Sequence, residues 1–244
     1  MCGIAGIAGR LGDDRRELIG RMLDTTPYRG PNDRGTLIEG PMTLGHLRLS
    51  IIDVSNAGHQ PMESMDGRYA VIFNGEIYNY IELREELRTL GSLFRSQSDT
   101  EVIAEAYRHW GEDCVQHFNG IWAFALFDRA DDALFLSRDR FGVKPLFYTF
   151  AQGELYFSSE MKALLAVQKR EPNWPYLAQF FDRRTALGSD ETVFQAILHL
   201  RPSHSLTWRK GKITMKRYWE PDPLHAEQAY DYHDDVATLR NLLT

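Results

Sequence analysis

Two neighbouring segments are apolar at nearly every position, and this feature limits the folds open to the chain. Residues 121–127 read IWAFALF and residues 133–137 read ALFLS, with the polar turn DRADD between them. Side chains of a strand alternate between the two faces of a sheet, so a strand that lacks polar alternation must be covered on both faces. The pattern therefore predicts an antiparallel hairpin buried between two other layers.

Further strand and helix patterns accompany this hairpin. Strand-like segments occupy residues 3–8, 44–54, 69–73, 146–150, 154–158, 205–208 and 212–218. Amphipathic helical spacing occurs around Leu18, over residues 80–90, and from Asp99 onwards, where Ser98 or Asp99 is the expected N-cap. We therefore expect an α+β fold in which two antiparallel sheets pack between helical layers.

Composition narrows the classes of function. The chain has 244 residues, 28 basic and 34 acidic side chains, and a formal net charge of -6, which offers no electrostatic footprint for nucleic acid or an anionic membrane. No apolar run approaches the roughly 18 residues of a membrane span. The two cysteines, Cys2 and Cys114, are too few for a disulfide framework. We expect a cytoplasmic protein that acts on a small metabolite, with oligomeric state left open.

The composition changes near the C-terminus. Prolines 221 and 223 break regular structure, and residues 220–232 are polar enough to form a linker. An amphipathic helix then begins, with Val236, Leu239, Leu242 and Leu243 on its apolar face. We predict one domain over residues 1–219 and a linker with the start of a further domain over residues 220–244.

Cys2 is a candidate nucleophile because of its position. If Met1 is removed, one residue carries both a thiol and a free α-amino group. An amine that titrates near 7.7–8.0 can take the proton of a thiol that titrates near 8.5 as the sulfur attacks a carboxamide. Taken alone, a Met-Cys start is more often inert.

Other residues supply what such an attack on glutamine needs. The pair Asn74-Gly75 at a strand end offers a side-chain amide and a backbone N–H to an oxyanion, although Asn-Gly is also a common turn pair. Arg48 can pair with an α-carboxylate or form an internal ion pair. Glu76 and Asp99 can hold an α-ammonium group, or serve as a surface charge and a helix cap.

Eight motifs occur together and in order: MCGIAG, YRGPND, GHLRLSIID, NGEIYN, SDTEVI, GIWAFALFD, RDRFGVKPLFY and SSEMKAL. Together they resemble the N-terminal glutaminase domain of glutamine-dependent asparagine synthetases, which are class II glutamine amidotransferases. The resemblance runs from Met1 to about Trp219. It implies a four-layer αββα N-terminal-nucleophile (Ntn) hydrolase sandwich, with two antiparallel sheets between helix layers.

The resemblance also implies roles for individual residues. Cys2 is the expected nucleophile, and Asn74 and Gly75 the expected oxyanion hole. The residues expected to bind glutamine are Arg48, Leu49, Ser50, Ile51, Ile52, Asn74, Gly75, Glu76 and Asp99. No metal or organic cofactor is implied for this chain.

Two departures from the family pattern stand out. The family's usual HRGPDD reads YRGPND here, so that Tyr28 and Asn32 replace a histidine and an aspartate. The chain also ends before any SGGLDS-type pyrophosphate loop, the motif with which such synthetases bind ATP. We therefore expect ATP and Mg²⁺ only in an absent synthetase domain or partner subunit, to which this chain supplies ammonia for asparagine synthesis from aspartate.

Three other interpretations stay open. The glutaminase could serve a different carboxylate acceptor, because acceptor choice resides in the absent part. The chain could be a non-catalytic module that docks a synthetase. It could also be an Ntn amidase for larger amides, although the pairing of Arg48 with Asp99 suits a free amino acid better.

Overall fold

A computed structural model of the chain describes residues 1–183, 190–221 and 232–242. Its strands are β1 (Gly3–Ala8), β2 (Asp33–Glu39), β3 (Met42–Arg48), β4 (Met62–Glu63), β5 (Tyr69–Ile77), β6 (Gly120–Asp128), β7 (Ala133–Arg138), β8 (Phe147–Ala151), β9 (Glu154–Ser158), β10 (Leu198–His199), β11 (His204–Arg209) and β12 (Lys212–Arg217). Its α-helices are α1 (Arg15–Asp24), α2 (Tyr80–Thr89), α3 (Asp99–Trp110), α4 (Cys114–His117), α5 (Met161–Leu165), α6 (Trp174–Arg183) and α7 (Tyr232–Leu242).

The strands of the described residues form two six-stranded antiparallel sheets. The first sheet has the order β10-β8-β9-β1-β3-β2, and the second has the order β12-β11-β7-β6-β5-β4. β1 lies inside the first sheet and pairs with β3 on one side and β9 on the other. The N-terminus of the chain is therefore held by two neighbouring strands.

Three apolar clusters separate four layers. One cluster lies between the two sheets and draws on both. A second joins the outer face of the second sheet to α2, α3 and α4, and a third joins the outer face of the first sheet to α1 and α5. The expected α+β sandwich of two sheets between helix layers is confirmed.

The doubly apolar hairpin accounts for this layering. β6 pairs with β7 as predicted. Along β6, Ala123, Ala125 and Phe127 enter the cluster between the sheets, whereas Trp122, Phe124 and Leu126 enter the cluster beneath the helices. Successive side chains thus serve two different cores, which is why the segment needs an apolar residue at nearly every position.

The predicted strand over residues 44–54 is wrong in its second half. β3 begins at Met42 and ends at Arg48. Beyond it the chain curls, because the Arg48 guanidinium donates hydrogen bonds to the carbonyl oxygens of Asp53 and Ser55. Ile51 and Val54, whose apolar character suggested a buried strand, are 70% and 77% exposed.

The helix predictions hold with small changes. The helix predicted over residues 80–90 is α2, which ends at Thr89, and the helix expected from Asp99 is α3, whose N-cap is Ser98 with its side chain accepting from the Thr100 N–H. The C-terminal helix is present as α7, and Val236 and Leu239 on it are exposed. Leu243 and most of the predicted linker lie outside the described residues, so the proposed domain division stays a prediction.

Candidate active site

The candidate site lies where the ends of four elements meet. β1 pairs with β3 so that Gly3 faces Leu47, which brings Cys2 beside the last residue of β3, Arg48. The end of β5 contributes residues 74–76 from the other sheet, and the first turn of α3 contributes Asp99. These groups line one pocket of about 230 Å³. Such a volume suits a ligand smaller than the drug-sized molecules that fill pockets of roughly 300–1,000 Å³.

The Cys2 thiol is held by the backbone that follows β3. Leu49 N–H donates to Sγ at 3.4 Å, and Sγ lies 3.6 Å from the Leu49 carbonyl oxygen. Burial raises the pKa of the Cys2 thiol, whereas the Leu49 hydrogen bond, the positive chain terminus and Arg48 oppose that rise. Asp99 adds to the rise, so the groups that favour the thiolate offset the effect of burial only in part.

Asn74 and Gly75 present unpaired donors at the end of β5. The Asn74 side chain is 1% exposed, and its Nδ2 has no hydrogen-bond partner among the described residues. Gly75 is opposite Trp122 of β6, and the N–H and carbonyl of Trp122 both bond to Asp139 on the β7 side. The Gly75–Trp122 pair is therefore not hydrogen-bonded, and the Gly75 N–H points away from β6.

A glycine is required at position 75 by packing. A Cβ atom added there would lie 2.2 Å from the carbonyl oxygen of Ile121. Any other residue would push β5 away from β6 and move the neighbouring Asn74 amide.

Arg48 is fixed in the pocket wall by its own loop. The guanidinium is 7% exposed, and its terminal nitrogens donate to the carbonyl oxygens of Ser55, at 2.9 Å, and of Asp53. Gly58 makes room for it, because a Cβ atom there would lie 2.0 Å from an Arg48 nitrogen. Both hydrogen-bond partners are neutral carbonyls, and although the charge of Arg48 helps to lower the pKa of Asp53 and Asp33, no described carboxylate pairs with it directly.

Asp99 is a buried carboxylate at the start of α3. It is 5% exposed, and its Oδ2 accepts a hydrogen bond from Ile77 N–H at 3.0 Å. Burial raises its pKa to about 6; the Ile77 N–H opposes the shift and nearby Glu76 adds to it. A ligand cation would offset that burial and favour the ionised form.

The other residues expected to bind substrate fall into two groups. Leu49, Ile51, Ile52 and Glu76 line the pocket with the residues above. Ser50 is not among the lining residues, and its N–H donates to Asn32 Oδ1 at 3.0 Å. Asn32, one of the two departures from the family pattern, therefore holds the backbone of the pocket wall.

Comparison with known proteins decides the family. A family model described as "Glutamine amidotransferase domain" matches residues 1–219. The chain belongs to the glutamine amidotransferase domain family. This confirms the resemblance that the eight motifs carry.

Relatives of this amidotransferase domain are larger enzymes. Asparagine synthetase [glutamine-hydrolyzing] 3 of Bacillus subtilis is 38% identical over 252 residues, which cover 99% of this chain and 40% of the relative. Asparagine synthetase [glutamine-hydrolyzing] 1 of the same organism is 38% identical and matches 93% of this chain and 37% of the relative. The chain thus spans about 40% of the length of these relatives.

Solved structures support the fold. The glutamine phosphoribosylpyrophosphate (PRPP) amidotransferase from B. subtilis superposes with a TM-score of 0.67 over 90% of this chain and 50% of its own, at 18% sequence identity. At that identity the likeness concerns the fold alone, a sandwich of two antiparallel sheets between helix layers, as the sequence predicts.

Sequence reasoning missed Gln60, which lines the pocket of the amidotransferase domain, and His46, which lies behind it. Gln60 accepts from Phe73 N–H at 2.7 Å and donates to the Thr100 hydroxyl, so it ties β5 to α3. His46 is fully buried, lies 3.1 Å from the Phe73 carbonyl oxygen through Nε2, and has its pKa lowered to about 4 by burial. His46 lies within the GHLRLSIID motif, so the sequence contained a signal that it belongs near the site. No motif contains Gln60, so the sequence contained no such signal for it.

Metal and membrane features are absent from the described parts of the amidotransferase domain. Over residues 1–183, 190–221 and 232–242, no three His, Cys, Asp or Glu side chains cluster in a way that could hold a metal ion. Within the same residues, no helix is long and apolar enough to cross a bilayer. The expectation that this chain needs no cofactor stays a prediction.

Proposed function

We propose that this amidotransferase domain hydrolyses glutamine to glutamate and ammonia, with Cys2 as nucleophile after removal of Met1. The observation that carries the proposal is the convergence of four groups on one pocket. A thiol next to the chain terminus, an unpaired amide donor, a guanidinium and a buried carboxylate all line it. These are the groups that a carboxamide and a zwitterionic amino acid require.

The chemistry starts at the Cys2 sulfur. Its α-amino group takes the thiol proton as Sγ bonds to the side-chain carbonyl carbon of glutamine. The resulting oxyanion receives hydrogen bonds from Asn74 Nδ2 and Gly75 N–H. The same amino group then protonates the departing nitrogen, leaving a thioester and ammonia. Water adds to the thioester, and its hydrolysis yields glutamate and restores the thiol.

Recognition of glutamine rests on its charged end. Arg48 pairs with the α-carboxylate, and Asp99 and Glu76 hold the α-ammonium group. The backbone of residues 49–52 forms the remaining wall. Ser50 contributes to this wall through its bond to Asn32 rather than by direct contact.

In the proposed mechanism, Met1 must be removed before Cys2 can act. It lines the same pocket as Cys2 and is 58% exposed. While it is attached, its peptide bond also removes the amine that serves as base. Its removal would free the base and widen the pocket together.

We further propose that the ammonia is used for ATP-dependent synthesis of asparagine from aspartate in a synthetase domain or partner subunit, with ATP and Mg²⁺ bound there. The names of the relatives, which are glutamine-hydrolysing asparagine synthetases, support this acceptor. Residues 220–244 would then be the linker and the first helix of the synthetase part. We place the reaction in the cytoplasm, in keeping with two free cysteines.

Glutamate release tests the glutaminase proposal. Purified protein, shown by intact mass to lack Met1, is incubated with glutamine, and glutamate and ammonia are measured. Both should appear in equal amounts, and a glutamine-analogue electrophile should add once, at Cys2. Labelling of Cys114 with Cys2 untouched would contradict the assignment.

A second assay tests the acceptor proposal. The 244-residue chain alone, given aspartate, glutamine and Mg-ATP, should produce glutamate but neither AMP nor asparagine. Addition of the synthetase part of a relative should restore both products. AMP formation that depends on aspartate in the chain alone would contradict the proposed division of labour.

A further inference from the structure

Two motifs that the proposed chemistry does not use, YRGPND and SSEMKAL, meet behind the candidate nucleophile. Arg29 comes from the first motif and Glu160 from the second. We propose that Glu160 is a positioning residue for Cys2, acting through Arg29. This inference rests on the proposed function, because it assigns Glu160 a part in the same reaction.

Arg29 holds the backbone of the nucleophile. Its Nε donates to the carbonyl oxygen of Cys2 at 3.0 Å, and its guanidinium is 7% exposed. A hydrogen bond from a charged donor to this carbonyl limits rotation of the Cys2 peptide unit. The direction of the Cys2 side chain depends on that rotation, because the preceding residue is absent from the mature form that we propose.

Glu160 in turn fixes Arg29. Its Oε1 accepts from the Arg29 guanidinium at 2.7 Å, and its Oε2 accepts from the Tyr28 hydroxyl at 2.7 Å. Burial alone would raise the pKa of Glu160, but the hydrogen bonds from Tyr28 and Arg29 outweigh burial and lower it. Lys162 lies 3.6 Å from the same carboxylate and 4.4 Å from the centre of the Tyr28 ring.

The residue before Glu160 holds the next part of the same strand. The Ile4 N–H donates to Ser159 Oγ at 3.0 Å, and the Ser159 N–H donates to the Ile4 carbonyl oxygen at 2.9 Å. Ser159 therefore bonds directly to Ile4 of β1, and Glu160 bonds through Arg29 to Cys2, which precedes β1. The residues just before α5 therefore hold the backbone of the nucleophile in position.

Tyr28, which stands where the family pattern has a histidine, takes part in this arrangement. The tyrosine hydroxyl occupies one oxygen of Glu160 and leaves the other to Arg29. The carboxylate is thereby held at both oxygens, which fixes its orientation toward the guanidinium.

Glu160 acts at a distance from glutamine. It is absent from the lining of the pocket that holds Cys2, Arg48 and Asp99. Loss of its carboxylate should therefore alter the placement of the sulfur without weakening glutamine binding. Since a misplacement of about 1 Å can cost on the order of 100-fold in rate, we expect kcat to fall and KM to hold.

The test uses Glu160→Ala and Glu160→Gln with Glu154 variants as matched controls. Glu154, in β9 of the same sheet, also accepts from one arginine (Arg10) and one tyrosine (Tyr156), and its side chain is 30% exposed against 24% for Glu160. Glutaminase kcat and KM are measured, together with the rate at which iodoacetamide alkylates Cys2, located by mass spectrometry. Thermal unfolding of every variant is recorded as the control for folding.

The expected result is a fall in kcat of about 10- to 100-fold for Glu160→Ala, with KM within about twofold of wild type and slower alkylation of Cys2. Glu160→Gln, which keeps size and one acceptor, should lose about threefold or more and so carries the test if Glu160→Ala does not fold. Glu154→Ala and Glu154→Gln should have the kcat, KM and Cys2 alkylation rate of the wild type. A kcat for both Glu160 variants within about twofold of the Glu154 variants, or a loss confined to KM, would overturn the proposal.

The two readouts separate this inference from the proposed function. If wild-type protein releases no glutamate while the Glu160 variants still slow alkylation of Cys2, the positioning role stands and the glutaminase proposal fails. If wild-type protein hydrolyses glutamine and the Glu160 variants change neither kcat nor alkylation, the glutaminase proposal stands and the positioning role fails.

Discussion

Cys2 and Cys114 are the same side chain in two different surroundings. Cys2 lies at a strand end in a pocket, whereas Cys114 begins α4 and is 0% exposed in the apolar cluster beneath the helices. Burial raises the pKa of both thiols. At Cys2 a backbone N–H and two positive charges oppose the rise and Asp99 adds to it, whereas at Cys114 only the Val115 backbone opposes it and the acidic residues Asp113 and Glu112 add to it.

Cys2 is partly exposed and Cys114 is fully buried, so the two thiols differ in burial as well as in the charges around the sulfur. A backbone N–H acts on both sulfurs, but of the two only Cys2 has positive groups acting on it, and positive charge favours the thiolate that a nucleophile needs. Position in the chain adds the second condition, because only Cys2 can supply an amine on the same residue.

The largest expected effect is that of Cys2→Ala. Loss of the nucleophile should reduce glutamine hydrolysis by more than about 1000-fold, while Cys114→Ala should leave kcat within about twofold. Cys2→Ala should keep the thermal stability of the wild type, since its side chain fills no core. Steady-state glutamate release checks the first expectation and circular dichroism melting the second. Retained hydrolysis in Cys2→Ala would place the nucleophile elsewhere.

The next effect concerns the cation beside Cys2. Arg48→Ala should lower kcat/KM for glutamine by roughly 30- to 1000-fold, because a charged contact in a desolvated pocket is worth about 2–4 kcal/mol of transition-state binding. Arg48→Lys should recover only part of this loss, since an ammonium group lacks the planar fork that reaches both loop carbonyls and a carboxylate. Full recovery with lysine would show that only the charge matters.

Asp99, the acidic group that raises the pKa of Cys2, should set a trade-off between stability and function. With a folded pKa of about 6 against an ordinary 3.8, its proton is bound more tightly in the folded state, so it stabilises the fold at low pH and loses that contribution as pH rises through about 6. Asp99→Asn should therefore be more stable than wild type at pH 7.5, by up to about 3 kcal/mol.

This advantage of Asp99→Asn should shrink as pH falls below about 6 and vanish near pH 4, because wild-type Asp99 becomes neutral there. Urea unfolding at several pH values measures the difference. The glutamine KM of the wild type should rise over the same range as the carboxylate that holds the substrate ammonium is protonated. A stability difference that is constant with pH would show that the Asp99 carboxyl is not the titrating group.

The smallest expected effect is at the inert thiol. Cys114→Ser should lower the free energy of unfolding by about 1–2 kcal/mol, because it places a hydroxyl group in an apolar cluster that is not built to hydrogen-bond it. Its kcat and KM should match wild type. A fall in kcat with unchanged stability would contradict the division between the two thiols.

Local patterns made much of the fold predictable. The hairpin β6–β7 and the spacing of α2 and α3 are short-range features of sequence. Residues 44–54 failed as a strand because an apolar run looks the same whether it fills a core or lines a pocket. The interaction that ends the strand is between Arg48 and the carbonyl oxygens of Asp53 and Ser55. The spacing of apolar residues along the sequence does not reveal it.

The layered sandwich, the thiol at position 2 and the residue types of the proposed glutamine site could be predicted from the sequence, because they depend on hydrophobic pattern and on motifs. Tertiary structure alone decided which of those residues share a pocket, that Ser50 faces Asn32, and that Gln60 and His46 support β5. It also decided that Glu160 stands behind Cys2, 158 positions earlier in the chain. Contacts of this kind arise only when separate strands are brought into register, since hydrogen bonds and burial depend on distance in space rather than along the chain.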